Sequence, residues 1–158
     1  MRILLAIDGS PCSEAAIGEV AKRPWPNDSL VRVITVVEPP MPPSIEPWAL
    51  PPDYFEELEA ALRKSGTVIV DHATEKLKSN PSIRVESALV SGSPRSEILR
   101  ESKAFNADLI VLGSHGYGAW KRFLLGSVSQ AVVAHASCSV EVVRSANSER
   151  SNEDQAAE

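Results

Sequence analysis

Five short runs of Val, Ile and Leu recur along the chain and predict five β-strands. They cover Arg2–Ile7, Leu30–Val37, Arg84–Val90, Asp108–Gly113 and Ser139–Val143. The first, second and fourth runs are nearly continuous in apolar residues, which is typical of strands buried on both faces of a parallel sheet. Polar residues interrupt the third run, and this favours a position nearer the edge of the sheet.

Helical patterns lie between these runs. Ser10-Pro11 and Ser93-Pro94 each combine an N-cap serine with a proline at the first helical position. A long helical pattern covers about Asp53–Lys78, and the last helix begins near Gly126-Ser127. The long pattern has five candidate buried positions: Leu58, Leu62, Val68, Ile69 and Leu77. Strands that alternate with helices predict βαβ crossovers and a mostly parallel sheet.

Two segments lack these patterns. Residues Glu38–Pro52 contain seven prolines, and because proline has no backbone N–H group they predict an irregular loop. We expect this loop to pack on its own domain, and the alternative is that it folds over a site or a partner. The tail from Ser145 to Glu158 holds no large apolar residue, which predicts disorder. We therefore expect one domain over residues 1–144 and a disordered tail over residues 145–158.

Composition limits the classes of function. The chain has 158 residues, is 43% hydrophobic and 23% charged, and carries a net charge of −5. An acidic balance disfavours broad nucleic-acid binding, and no apolar run reaches the length of about 18 residues that a transmembrane helix needs. Cys12 and Cys138 form no CxxC pair, so neither a disulfide framework nor a zinc site is expected. These features predict a cytoplasmic protein with neither nucleic acid nor a membrane as its partner.

The segment Gly113–Ser129 carries the candidate chemistry, because it leaves the fourth strand, turns and enters the last helix. Ligands of open parallel sheets bind beyond the carboxyl ends of the strands. Glycines let backbone N–H groups approach an anion, and a helix N-terminus adds further unsatisfied donors. Lys121 and Arg122 supply positive charge, and Ser127 and Ser129 supply hydroxyl groups. The segment therefore predicts a phosphate site.

The glycine spacing narrows this prediction. GxxxxGK[ST] is absent, and GxGxxG is not met because Lys121 takes the third position after Gly116 and Gly118. The pattern Gly113-x2-Gly116-x9-Gly126-Ser127 instead resembles the ATP-binding signature of the universal stress protein family. The resemblance covers residues 1–144. It includes four further stretches: Ile3–Ser10, Val90-x-Gly92-x-Pro94, Leu124–Ser129 and His135–Val140.

This resemblance implies an α/β fold with an open five-stranded parallel sheet, strand order 3-2-1-4-5, and helices on both faces. An adenine nucleotide, ATP or else AMP or a relative, is then expected across the carboxyl ends of strands one and four, with Mg²⁺ accompanying it. Ala6 and Asp8 would face the adenosine, and Val36 or Val37 would line the adenine. The residues expected to hold ribose and phosphates are Gly113, His115, Gly116, Gly126, Ser127, Val128 and Ser129. Arg122 is a further candidate because its charge lies within the glycine loop.

The resemblance also implies a homodimer through the last strand. That strand would be a short apolar edge, which favours pairing with a second copy. Val140 and Val142 would point one way and Glu141 the other. Val140 and Val142 are therefore the predicted interface residues.

Two of the predicted site residues have a second interpretation. Asp8 either caps a turn with Gly9 and Ser10, or contacts a ribose hydroxyl or a magnesium ion carried by the phosphates. His115 is either a solvated loop residue or a ribose or phosphate ligand.

The sequence favours a binding protein over an enzyme. No catalytic set of residues is evident, so at most slow ATP hydrolysis is expected. The leading hypothesis is a nucleotide-binding stress or signalling protein whose ligand biases conformation or the choice of an unidentified partner. One alternative is an ATP-using transferase or ligase, although the SGGxDS, HIGH and KMSKS motifs are absent. The other is an interaction module that has lost its nucleotide.

Overall fold

The computed structural model describes residues 1–39, 53–116 and 125–145. Within these ranges strands and helices alternate: β1 (Arg2–Ala6), α1 (Pro11–Lys22), β2 (Ser29–Val37), α2 (Tyr54–Leu77), β3 (Ile83–Ser91), α3 (Pro94–Ala104), β4 (Leu109–Gly113), α4 (Ser127–His135) and β5 (Ser139–Val143). All five predicted strands and all four predicted helices are present. Most of the proline-rich loop, Lys121, Arg122 and the tail from residue 146 lie outside the described residues.

The strands form one parallel sheet in the order β3-β2-β1-β4-β5. This confirms the predicted fold class, and β3 lies at an edge as its interrupted pattern predicted. β1 is the central strand, so Ala6 has Ile34 of β2 on one side and Leu112 of β4 on the other. A strand with neighbours on both edges and helices on both faces is mostly apolar, as the four residues Ile3–Ala6 of β1 are.

Helices cover both faces of the sheet and create two hydrophobic cores. Under α1 and α2 the core includes Ile3, Leu5 and Val33, all fully buried. Under α3 and α4 it includes Leu4 and Ile110, which are fully buried as well. Successive residues of β1 therefore enter opposite cores, as the two-residue period of a strand requires. Each fully buried side chain of this kind stabilises the fold by about 1.5–3 kcal/mol.

Of the five buried positions predicted in helix α2, Leu77 is confirmed as fully buried. Gly66, Val70, Ala73 and Leu77 are buried, whereas Val68 is 63% exposed, so its predicted burial is wrong. Leu58, Leu62 and Ile69 are only half-buried. Gly66 explains which face of α2 is buried. A Cβ there would lie 2.5 Å from Leu89 Cδ1, so the helix packs closely on the sheet at a residue that carries no side chain.

None of the helices in the described ranges meets the requirements for a membrane span. The longest of them is α2, with 24 residues. Its mixture of charged and apolar residues is that of a helix with one face on a protein core and the other in water.

Candidate functional site

A cleft of about 620 Å³ opens where β1, β2 and β4 end. In the order β3-β2-β1-β4-β5, the connections from β1 and β4 leave toward opposite faces of the sheet, and the strand order reverses between these two strands. Open α/β sheets bind their ligands at this switch point. The volume is also in the range of small-molecule sites, which is about 300–1,000 Å³.

One end of the cleft is apolar. Its walls come from the strand ends and from the start of α3, and they include Ala6, Ile34, Val36, Ile98 and Leu112. Of the two predicted alternatives, Val36 lines the cleft. Val37 faces α2 instead, with its Cγ2 only 3.1 Å from the place where a Cβ on Gly66 would stand. The two valines differ because consecutive strand residues point to opposite faces.

The other end of the cleft is the first turn of α4, which Gly126 caps. The backbone N–H groups of Ser127, Val128 and Ser129 open this helix, and none of them donates to an acceptor in residues 1–39, 53–116 or 125–145. Together with the helix dipole they make a local positive potential. This end of the cleft is therefore suited to an anion.

Two of the predicted ligand groups at this turn have other partners. The N–H group of Gly126 donates to the Ser114 carbonyl at 2.7 Å. The buried hydroxyl of Ser129 lies 2.9 and 2.8 Å from the carbonyl oxygens of Ser114 and Gly126, which share its one proton. These groups hold the loop against the helix, so the donors that remain at this turn are the three backbone N–H groups and the exposed Ser127 hydroxyl.

Asp8 follows β1, and the structure confirms its interpretation as a turn residue. Its Oδ1 accepts a hydrogen bond from the Ser10 N–H at 2.9 Å, which closes the turn into α1. The same side chain lines the cleft, where it is the single carboxylate among the lining residues that the structure describes. Asp8 therefore presents a carboxylate to the cleft while it also holds the turn.

Two glycines of the signature permit close packing between segments. A Cβ on Gly113 would lie 2.8 Å from both Cys12 C and Ser13 N, so β4 can end directly against the start of α1. A Cβ on Gly116 would lie 2.5 Å from Asp8 Oδ2. Gly113 thus brings a helix and a strand together, and Gly116 leaves room for a carboxylate.

His115 is a half-buried lining residue that is held in place from the core side. Its Nδ1 lies 3.1 Å from Ser114 Oγ, and the Ser114 hydroxyl is 3.5 Å from Cys12 Sγ. Cys12 and Cys138 are both free thiols, as expected. Sequence reasoning missed Ser114, since nothing in a Gly-Ser-His triplet shows that the serine points into the core.

The edge strand β5 has the predicted alternation. Val140 and Val142 pack on the core under α3 and α4. Glu141 points to the other face and binds Arg23 through two hydrogen bonds of 2.6 and 2.7 Å. This hydrogen-bonded pairing raises the pKa of Arg23 above its usual value. The pair fixes the outer strand to the end of α1.

Solved structures resemble this fold. The hypothetical protein MJ0577 matches with a TM-score of 0.78 and 25% identity, over 90% of this chain and 94% of that protein. A universal stress protein family protein from Arabidopsis thaliana with AMP bound matches with a TM-score of 0.66 and 18% identity, over 91% of each chain. A universal stress protein in complex with cAMP matches with a TM-score of 0.65 and 21% identity, over 92% of this chain and 98% of that one.

Sequence comparison reaches the same family. A protein of Staphylococcus aureus strain USA300 that is assigned to the universal stress proteins is 33% identical over 150 residues, which are 90% of this chain and 82% of that protein. The family model of the universal stress proteins matches residues 1–144. With the sheet order, the cleft and these matches in agreement, the chain belongs to the universal stress protein family.

Proposed function

We propose that this chain binds an adenine nucleotide, with ATP as the expected ligand. One observation carries the proposal: a single cleft joins an apolar end to the backbone N–H groups that open α4. An uncharged aromatic base suits the first environment, and phosphate groups suit the second. Relatives with this fold that hold AMP and cAMP support the same ligand class.

The proposed orientation follows from the two ends of the cleft. Adenine lies against Ala6, Ile34 and Val36, where burial of its faces replaces contact with water. The phosphates lie at the first turn of α4. Asp8, between the two ends, accepts a hydrogen bond from a ribose hydroxyl, since only its Oδ1 is engaged by the turn.

Magnesium would enter with the nucleotide. The described residues contain no cluster of three or more side chains that could hold a metal by themselves. Mg²⁺ commonly uses one or two carboxylates together with substrate phosphates, and Asp8 fits that limited role. The ion would neutralise phosphate charge beside this carboxylate.

The proposed role is binding and not catalysis. Phosphoryl transfer requires a positioned nucleophile, a charge clamp and metal ligands, and Asp8 with His115 supplies only part of such a set. We therefore propose that the nucleotide biases conformation or partner choice in a cytoplasmic stress or signalling protein. Slow hydrolysis of ATP is compatible with this role.

Ligand binding is the direct test. Mass spectrometry of small molecules released from the purified protein should detect an adenine nucleotide. Calorimetry with Mg-ATP should show saturable binding, and parallel titrations with AMP and cAMP should show which of the three binds most tightly. Absence of binding to all three would contradict the proposal and favour an interaction module without a nucleotide.

We also propose a homodimer through the outer edge of β5. The Val143 carbonyl accepts from the Ser114 N–H and so points toward β4. The backbone groups of neighbouring strand residues point to opposite sides, so those of Val142 face the open edge. Within the described residues no strand pairs with that edge, and antiparallel pairing with a second copy would satisfy its backbone groups.

Val142→Pro should therefore raise the dissociation constant of the dimer at least about tenfold, because it removes one outward N–H donor from each copy. The internal β4–β5 ladder should survive, so circular dichroism should not change. Sedimentation across a concentration series would measure the change in the monomer–dimer equilibrium. A wild-type protein that stays monomeric at high concentration would contradict this assembly.

A further inference from the structure

We propose that Ser10 is a positioning residue for the nucleotide phosphates, acting through the His115–Gly116 peptide. This inference rests on the nucleotide-binding function proposed above. It assigns the residue a role beyond that of a helix cap, which is all that the Ser-Pro pattern predicts.

The Ser10 hydroxyl makes two hydrogen bonds that join distant parts of the chain. Ser10 is 1% exposed, and its Oγ accepts from the Ser13 N–H at 3.3 Å as the N-cap of α1. The same oxygen donates its proton to the His115 carbonyl at 3.1 Å. A hydroxyl has only one proton, so its direction is set by His115.

This bond fixes more than one atom. A peptide unit is planar and trans, so holding the His115 carbonyl also fixes the direction of the Gly116 N–H on the opposite side of the peptide. The carbonyl points to the β1–α1 turn, and the N–H therefore points away from that turn. Gly116 lines the cleft, so Ser10 orients a backbone donor at the ligand site.

The same turn also approaches Gly116 closely. Asp8 Oδ1 accepts from the Ser10 N–H at 2.9 Å, and Asp8 Oδ2 lies 2.5 Å from the position that a Cβ on Gly116 would take. Asp8 therefore packs beside the glycine loop, and the Ser10 hydroxyl supplies a hydrogen bond from the turn to it. Removal of the Ser10 hydroxyl should release the peptide while the Asp8 turn remains.

The chain provides a matched control. Ser93-Pro94 begins α3 as Ser10-Pro11 begins α1, but the Ser93 side chain makes no cap hydrogen bond. Ser93→Ala thus removes the same atom from the same kind of helix start without affecting the glycine loop. Ser10→Thr keeps the hydroxyl and tests rescue.

Calorimetry of ATP and of adenosine on these variants separates positioning from a general structural effect. Ser10→Ala should weaken ATP binding about tenfold, the loss expected for one hydrogen bond. Its affinity for adenosine should stay within about twofold, because adenosine has no phosphate. Ser93→Ala and Ser10→Thr should both bind ATP like the wild type.

Equal losses for ATP and adenosine would overturn the proposal, because they would show that Ser10 only supports the fold. An unchanged ATP affinity in Ser10→Ala would overturn it as well. If the wild-type protein bound neither compound, the proposed function itself would fail, and the role of Ser10 with it. The wild-type titration therefore distinguishes the two failures.

Discussion

Gly113→Ala is expected to lower the free energy of unfolding by about 3 kcal/mol, at the upper end of overpacking effects. The new Cβ would stand 2.8 Å from Cys12 C and Ser13 N, which are backbone atoms and cannot rotate aside. Either α1 or the end of β4 must then move. The cause is steric, since Gly113 is not among the residues with positive φ.

Gly18→Ala is the matched control and should have the opposite sign. Gly18 lies within α1, and no heavy atom is within 4 Å of the position that a Cβ would take there. Alanine in a helix interior is more stable than glycine by about 0.5–1 kcal/mol. Denaturant unfolding of the two variants would measure both changes. A Gly113→Ala protein as stable as wild type would show that α1 and β4 are not packed as described.

Gly126→Val combined with Ser127→Ala is expected to abolish ATP binding while the fold survives. A Cβ on Gly126 would lie 3.2 Å from the Ser114 carbonyl oxygen, and valine adds two methyl groups beyond it. The hydrogen bond from Gly126 to Ser114 should then break, and the first turn of α4 should shift. Ser127→Ala also removes the exposed hydroxyl at that turn.

The single variant Ser127→Ala measures how much of this loss of affinity comes from the hydroxyl group. A hydrogen bond to a charged group contributes about 1.5–3 kcal/mol, so Ser127→Ala alone should cost roughly ten- to a hundredfold in affinity. The double variant should be weaker than that. Calorimetry with Mg-ATP measures affinity, and circular dichroism monitors the fold. Wild-type affinity in the double variant would exclude the first turn of α4 as the phosphate site.

Local sequence patterns predicted the secondary structure well because each element has a local signal. Apolar runs predicted the strands, and the Ser-Pro pairs predicted where α1 and α3 begin. The predicted burial of Val68 was wrong because the apolar pattern of α2 fits more than one buried face. Its buried face depends on which residue the sheet can approach, and Gly66 decides that through contacts with β2 and β3.

The sequence predicted where the cleft lies, but only some of the contacts that its residues make. Glycine spacing located the loop, and the family resemblance located Ala6, Asp8 and Val36. The resemblance did not show that the Gly126 N–H already donates to the Ser114 carbonyl. It also did not show that Ser10 bonds His115, which is 105 positions away in the chain. Such contacts depend on the packing of segments and leave no periodic signal.

The pairing of β1 with β4 affects when the cleft can exist during synthesis. Leu4 pairs with Ile110, so a nascent chain that ends before β4 has the Asp8 turn but no opposite wall and no α4. On the proposed function, ATP could not select or stabilise such an intermediate. The nucleotide would act on the finished sheet alone, where a concentration of 100 times Kd would stabilise it by about 2.7 kcal/mol. Cellular nucleotide levels would therefore alter how long the mature protein persists, and leave its early folding steps unchanged.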